Sequence, residues 1–355
     1  MRSQTWGLEC EFTGISRQRT AEVLAEYFGT QYQYDGGAYD AYSVPDSQGR
    51  SWKLVSDASI DEERRDGGYA DYTYRVELVT PICVYDDIPT LQEILRKLRG
   101  AHAFGNSSCG VHIHIGSAPH TAQSLRNLAN IMASKEDMIY HALNVHPSRE
   151  HEYCKKMNDH FLSELNRKKP KTLEEVSQIW YSGDTSRSHD HYDNSRYVGL
   201  NYHSVFQKGT IEFRLFNSDC LKHAGKAKAY LQFCLALSHK ALTQRSASPR
   251  KTVSPNERYT FRVFLLNLGL IGDEFKTARQ HLLGNLEGNI AWRDPEQAVR
   301  QKERLALQRE QEQQQAAEPV AEPEHSALES AEIEEIELAE VDAQDEQDFG
   351  LSMSM

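Results

Sequence analysis

Apolar and polar residues alternate in four short stretches of this chain, and the alternation predicts strands. In Trp6–Phe12 (WGLECEF), Trp6, Leu8, Cys10 and Phe12 share one parity, with Glu9 and Glu11 between them. Successive side chains of a strand point to opposite faces, so both glutamates project away from the apolar side. Residues 74–78 (YRVEL) set Tyr74, Val76 and Leu78 against Arg75 and Glu77. Residues 109–115 (CGVHIHI) set Val111, Ile113 and Ile115 against His112 and His114. Residues 210–216 (TIEFRLF) set Ile211, Phe213 and Leu215 against Glu212 and Arg214.

Elsewhere the apolar spacing is helical. Residues 20–28 (TAEVLAEYF) and 90–98 (TLQEILRKL) predict helices, the second stopped by Gly100. Turn clusters at 35–37, 45–49 and 66–68 punctuate short strands between them. From 121 to about 180 the pattern turns helical, including a segment around 152–165, and 182–217 returns to loop and strand. Helices follow at 224–242, 257–268 and 273–283. No internal repeat is evident. The reading is an α+β domain over residues 1–293, a charged helical extension over 294–315, and a disordered tail over 316–355. The tail is rich in Ala, Glu, Pro and Ser, a composition that buries too little apolar area to offset chain entropy.

Charge sharpens this division. The 355 residues carry a formal net charge of −12, yet 310–355 holds fifteen Asp and Glu with no Lys or Arg. Subtracting those fifteen leaves 37 acids against 40 bases, a body near +3. Such a near-neutral body gives no electrostatic case for nucleic acid, whose phosphates call for a basic face. The tail is compatible with capture of a protein partner, though an inert solubilising tail is the simpler reading. The six cysteines are dispersed without a CxxC pair, so neither a zinc ribbon nor a redox dithiol is signalled. With no apolar run suited to a signal peptide or a membrane span, the expectation is a cytoplasmic protein with reduced thiols and access to ATP.

The chemistry lies in what the four strands place on their polar faces. A wet strand face ordinarily carries Thr, Lys, Ser or Gln. Here the set is Glu9, Glu11, Glu77, Glu212, His112, His114, Arg75 and Arg214. Converging carboxylates repel one another unless cations relieve them, and hard divalent cations prefer oxygen ligands. Carboxylates in excess of histidines favour Mg²⁺ or Mn²⁺ acting on phosphate. The His-x-His pair with one Glu is also a ligand set for zinc or iron, as in a hydrolase or an oxygenase. No GxxxxGK[ST] loop and no strand-linked GxGxxG is present, so any nucleotide is held by metals, arginines and sheet residues. Cys109 has no orienting group and reads as a packed thiol. His189 and His191 occupy a polar loop that reads either as a lid over substrate or as a solvated loop, His203 reads as a plain strand residue, and 167–171 (RKKPK) as a helix-end surface.

In this order, Glu9-Cys10-Glu11, Glu77, Gly110-Val111-His112-Ile113-His114 and Glu212-Phe213-Arg214 resemble the amidoligase family of glutamine-synthetase-like carboxylate–amine ligases, known mainly from phage and bacterial genomes. The likeness extends over about residues 4–290, including NSSCGVHIHI and VFQKGTIEFRLF. It implies a glutamine-synthetase-like antiparallel catalytic sheet with flanking helices and a helical insertion. It further implies ATP and two or three Mg²⁺ ions, with Mn²⁺ as a substitute. Glu9, Glu11, Glu77 and Glu212 would ligate the metal, with His112 or His114 joining them and both lining the nucleotide region. Arg214 would hold the transferring phosphoryl, with Arg196 and Asn201 near phosphate or substrate and Asp57 facing substrate. The implied substrates are a small-molecule or peptide carboxylate and an amine. The substrate pair, the proton-accepting base and any homo-oligomeric state stay open.

Overall fold

The computed structural model describes residues 1–317, so most of the acidic tail lies outside the described residues. The first compact unit, Met1–Ala298, is built on one sheet of eight strands. In chain order its elements are β1 (Trp6–Phe12), α1 (Arg17–Phe28), β2 (Gln33–Gly36), β3 (Ala41–Pro45), β4 (Ser51–Val55), β5 (Val76–Val79), α2 (Ile88–Gly100) and β6 (Gly110–Gly116). Then come α3 (Ala122–Leu143), α4 (Pro147–Glu152), α5 (Asp159–Lys168), α6 (Leu173–Trp180), β7 (Leu200–Asn201), α7 (His203–Lys208) and β8 (Thr210–Asn217). Helices α8 (Ala224–Thr243), α9 (Glu257–Asn267) and α10 (Lys276–Leu283) complete the unit. Of the second unit, Val299–Met355, the described part belongs to α11 (Pro295–Ala317), a polar helix on which Val299, Leu305 and Leu307 are exposed.

The strands run in the order β2-β3-β4-β5-β1-β6-β8-β7, every pair antiparallel. The expected α+β mixture of helices and antiparallel sheet is therefore present. The predicted apolar parities form the core: Trp6, Leu8, Cys10, Phe12, Val76, Leu78, Val111, Ile113, Ile115, Ile211 and Phe213 are all buried. Side chains of α1, α2 and α8, among them Leu24, Leu91, Leu95, Leu231 and Phe233, belong to the same cluster. Each such side chain contributes roughly 1.5–3 kcal/mol by leaving water. The opposite faces of β1, β5, β6 and β8 are thereby free to carry charge on a rigid support.

Three local readings change. The strand predicted over 74–78 begins only at Val76, because residues 72–74 form a 3₁₀ turn in which the Asp71 carboxylate accepts the Thr73 N–H at 2.9 Å. Arg75 ends that turn and pairs with Glu62 at 2.7 Å, away from the other polar-face residues. The segment around 152–165 breaks in two, with Asn158 capping α5 by accepting the Phe161 N–H at 3.0 Å. Helix α2 ends at Gly100, as its sequence predicts, and the chain then turns at His102, φ 79°. His203 begins a helix: Asn201 Oδ1 accepts its N–H at 2.8 Å, and Gly209 at φ 70° terminates α7.

Arg17 fixes the approach to β5. Fully buried at the start of α1, it donates to the carbonyls of Tyr72 (2.7 Å), Arg75 (2.8 Å) and Asp40 (3.1 Å) and pairs with the Asp40 carboxylate. Arg17→Met should destabilise the domain by about 3 kcal/mol, since it strands a partly buried carboxylate and three carbonyls. Equilibrium urea unfolding measures this, and a change below about 1 kcal/mol would contradict the anchoring role.

Candidate functional site

Register brings the charged residues of four strands together. Glu9 lies opposite His112, Glu11 opposite Glu77, and His114 opposite Glu212. Between Val111 and Ile113 the β6–β8 register shifts, because Phe216 and Phe213 are their respective partners. Strand β8 thus carries an extra residue in the interval holding Arg214 and Leu215, a bulge of the kind that re-aims side chains. Straight alternation does not reveal it.

Distances within the cluster are short. His112 Nδ1 is 3.2 Å from Glu9 Oε2 and its Nε2 3.7 Å from Glu11 Oε1. His114 Nε2 is 3.3 Å from Glu9 Oε1 and 3.9 Å from Glu212 Oε1. Three groups each offer ligand atoms within 4.8 Å of one another: Glu9–His114–Glu212, Glu9–Glu77–His112 and Glu11–Asp57–Glu77. Ions bound at about 2.1 Å need donors roughly 3–4 Å apart, so these sets fit hard divalent cations. The buried His114 Nε2 supports the fit. It makes no hydrogen bond, while Nδ1 is 2.9 Å from Thr210 Oγ1. Once deprotonated, with Nδ1 donating to the hydroxyl, the ring would offer its Nε2 lone pair to a cation held among the carboxylates, as a metal-ligating histidine does.

Electrostatics show the cost of the arrangement. Unit charges 4 Å apart interact by about 4 kcal/mol at an effective dielectric constant of about 20. Burial, followed by the charges of Glu9, Glu11 and Asp57, pushes Glu77 well above the usual carboxylate range. Burial also opposes ionisation of Glu9, but His114, His112 and Lys208 outweigh it and hold Glu9 well below that range. At Glu212, burial is outweighed by Arg214 and His114, which bring the carboxyl down to about 2. Burial disfavours the His114 cation, yet Glu9 and Glu212 raise its pKa.

The remaining predicted residues take distinct places. Arg214 is buried and pairs with Glu212, while its Nε makes no hydrogen bond. Asn201 is committed to protein partners, its Nδ2 donating to Glu212 Oε2 at 2.6 Å. Arg196 stands beside the Tyr192 and Tyr197 rings, with Nη1 donating to the His191 carbonyl at 3.1 Å. Both line a cavity of about 680 Å³ that also holds Glu9, Glu77, His112, Glu212 and Arg214. Asp57 and His191 are on its wall, as is His203, whose Nδ1 is 2.5 Å from the Tyr181 hydroxyl. Cys109 is buried, its thiol pushed up to about 12 by burial, which suits the packed reading.

Sequence reasoning missed Lys208, Tyr39, Tyr192 and Arg149. Lys208 closes α7 with Nζ 3.5 Å from Glu9 Oε1. Tyr39 and Tyr192 meet hydroxyl to hydroxyl at 2.6 Å on the cavity wall. Arg149 on α4 is buried with Nη1 3.8 Å from Glu11 Oε2. None belongs to a periodic pattern. A trace of Arg149 was present in Gly110, where a Cβ would lie 2.0 Å from the guanidinium.

The family model described as "putative amidoligase enzyme" matches residues 2–238, and the chain belongs to that family. The protein is thereby of the ligase type of enzyme. The matched span contains every member of the cluster and ends within α8. No curated protein matches the chain.

The raised Glu77 pKa has a stability consequence in metal-free protein. The folded state binds this proton more tightly than the unfolded chain. Its contribution is full below the unfolded pKa of about 4.3 and is lost as pH rises through the folded pKa. Glu77→Gln cannot ionise, so in EDTA it should melt close to wild type near pH 4 and above it near pH 8. Equal melting at both pH values would count against a strained Glu77.

Proposed function

We propose that the protein is an ATP- and Mg²⁺-dependent carboxylate–amine ligase with a glutamine-synthetase-like catalytic sheet, forming an amide through an acyl phosphate. The supporting observation is the convergence of Glu9, Glu11, Glu77, Glu212, His112, His114 and Arg214 beside one cavity. A substrate carboxylate oxygen attacks the γ-phosphorus of ATP, the bond to the β–γ bridging oxygen breaks, and ADP departs. An amine nitrogen then attacks the acyl carbon, the bond to phosphate breaks, and the nitrogen loses a proton to a carboxylate or histidine of the site.

Such phosphoryl transfer calls mainly for positioning and charge neutralisation. Bound Mg²⁺ would supply neutralisation of the phosphoryl oxygens. Glu9, Glu212 and His114 would hold one ion, Glu9, Glu77 and His112 a second, and Glu11, Asp57 and Glu77 a third. Asn201 fixes the Glu212 carboxylate from behind. The free Nε of Arg214 is a donor for a phosphoryl oxygen. Arg196, Lys53 and Lys208 around the cavity suit the negative charges of nucleotide and carboxylate. At about 680 Å³ the cavity is of small-molecule size, or accepts the end of a peptide. Among the described residues no helix is long and apolar enough to cross a membrane. We place the activity in the cytoplasm, where ATP is supplied.

Hydroxylamine trapping tests this reading. Full-length protein with Mg²⁺, ATP and a pool of amino acids and short acidic peptides should yield ATP-dependent hydroxamate. Glu212→Ala should lower the yield by roughly 100-fold or more. Neither hydroxamate nor ADP, together with tightly bound zinc or iron, would replace the ligase with a hydrolase or oxygenase centred on His112 and His114.

A further inference from the structure

Arg149 lies where three of the ligand-bearing strands meet. Helix α4 is held against the end of β8, because Asn217 Oδ1 accepts the His146 N–H at 3.1 Å and Asn217 Nδ2 donates to the Asn144 carbonyl at 2.7 Å. From that helix the Arg149 side chain reaches inward and is only 2 % exposed. Its Nη2 donates to the Arg214 carbonyl on β8 at 3.2 Å, and its Nη1 is 3.8 Å from Glu11 Oε2 on β1. The guanidinium passes against Gly110 on β6, whose own N–H donates to the same Glu11 Oε2 at 2.6 Å. Arg149 is absent from the cavity wall.

These contacts divide the Glu11 carboxylate into two unequal oxygens. Oε2 is engaged by the Gly110 N–H and by the Arg149 charge. Oε1 is turned towards His112, at 3.7 Å from Nε2. A carboxylate tethered through one oxygen offers the other in a fixed direction, as outer-layer partners of metal ligands generally do. A guanidinium fork suits the task better than an ammonium, because it can bond a carbonyl and face a carboxylate in one plane. Gly110 completes the device. A Cβ there would overlap Nη2 at 2.0 Å and Nη1 at 2.3 Å, so any side chain would push the guanidinium away.

We infer that Arg149 is a positioning residue for Glu11, orienting its carboxylate for the divalent-cation set shared with Asp57 and Glu77, and that Gly110 is glycine in order to admit it. This rests on the metal-dependent reading above. It assigns Arg149 no contact with substrate.

Mn²⁺ binding to the full chain is the test, followed by electron paramagnetic resonance and calorimetry so that no turnover is required. Arg149→Gln should weaken one class of Mn²⁺ sites by about 10–100-fold and leave the rest unchanged. Gly110→Ala should weaken the same class. The double variant should be no worse than Arg149→Gln alone, since both changes remove one interaction. Arg149→Lys, which keeps the charge without the fork, should recover part of the affinity. Native near-UV circular dichroism with wild-type Mn²⁺ affinity in Arg149→Gln would overturn the inference. If that variant does not fold, Gly110→Ala decides on the same readout, and if neither folds, Arg149→Lys does. Wild type that binds no Mn²⁺ would overturn the metal reading itself, whereas wild type and all variants binding alike would overturn only the role of Arg149.

Discussion

Mutual repulsion among carboxylates on one sheet face is the constraint around which this domain is arranged. Glu9, Glu11, Glu77, Glu212 and Asp57, with His112 and His114, make up three groups, and within each the candidate ligand atoms lie within 4.8 Å of one another. Left on flexible loops, such groups would move apart, because interactions of several kcal/mol at these separations exceed the cost of a loop rearrangement. Central antiparallel strands prevent that. β1 is hydrogen-bonded on both edges, to β5 and β6, and the opposite face is anchored in the core by Leu8, Cys10 and Phe12. Core burial therefore holds the charges together, and the unequal behaviour of the carboxyls follows. Glu212 beside Arg214 stays ionised, whereas Glu77, buried beside Glu9, Glu11 and Asp57, resists ionisation.

This division of labour explains which parts were legible in the sequence. A strand repeats every two residues, so the pairing of Glu9 with Glu11 and of His112 with His114 was readable as soon as the flanking apolar residues were seen. Antiparallel neighbours then meet through register, which the chain encodes in its core pattern. Residues that depend on chain-distant contacts were not legible. Arg75 follows the same parity as Glu77 but turns to Glu62, because the 3₁₀ turn before it ends the strand. The β8 bulge leaves the local pattern TIEFRLF unaltered and exists only in the pairing with β6. Arg149 arrives from a six-residue helix with no apolar period, and only its packing against Gly110 links it to the strand motif.

The fixed floor of the site contrasts with its rim. The floor is made by β1, β5, β6 and β8, with Asn201 and Thr210 holding Glu212 and His114 from the second layer. The rim comes from two chain-distant pieces, the turn between β2 and β3 and the residues after α6, and they meet through Tyr39 and Tyr192 at 2.6 Å. Both tyrosines are about half exposed, so their contact is made in water and contributes little energy. Burial and hydrogen bonding thus concentrate rigidity at the carboxylates and leave the walls loosely joined.

That gradient bears on where a domain of this kind tolerates substitution. Altering the floor disturbs charges balanced by several neighbours at once, as Glu9 is balanced by His112, His114 and Lys208. A single substitution there propagates through the cluster and threatens the shared chemistry. Altering the rim removes a weak contact between exposed side chains and leaves the floor's register, core and ligand directions intact. Substitution in the rim, at Tyr39 and Tyr192, can therefore reshape the cavity wall without rebuilding the carboxylate floor. The strand motifs sit on the floor, where the physics is least forgiving, and the rim is hardest to read from sequence because the physics permits most change there.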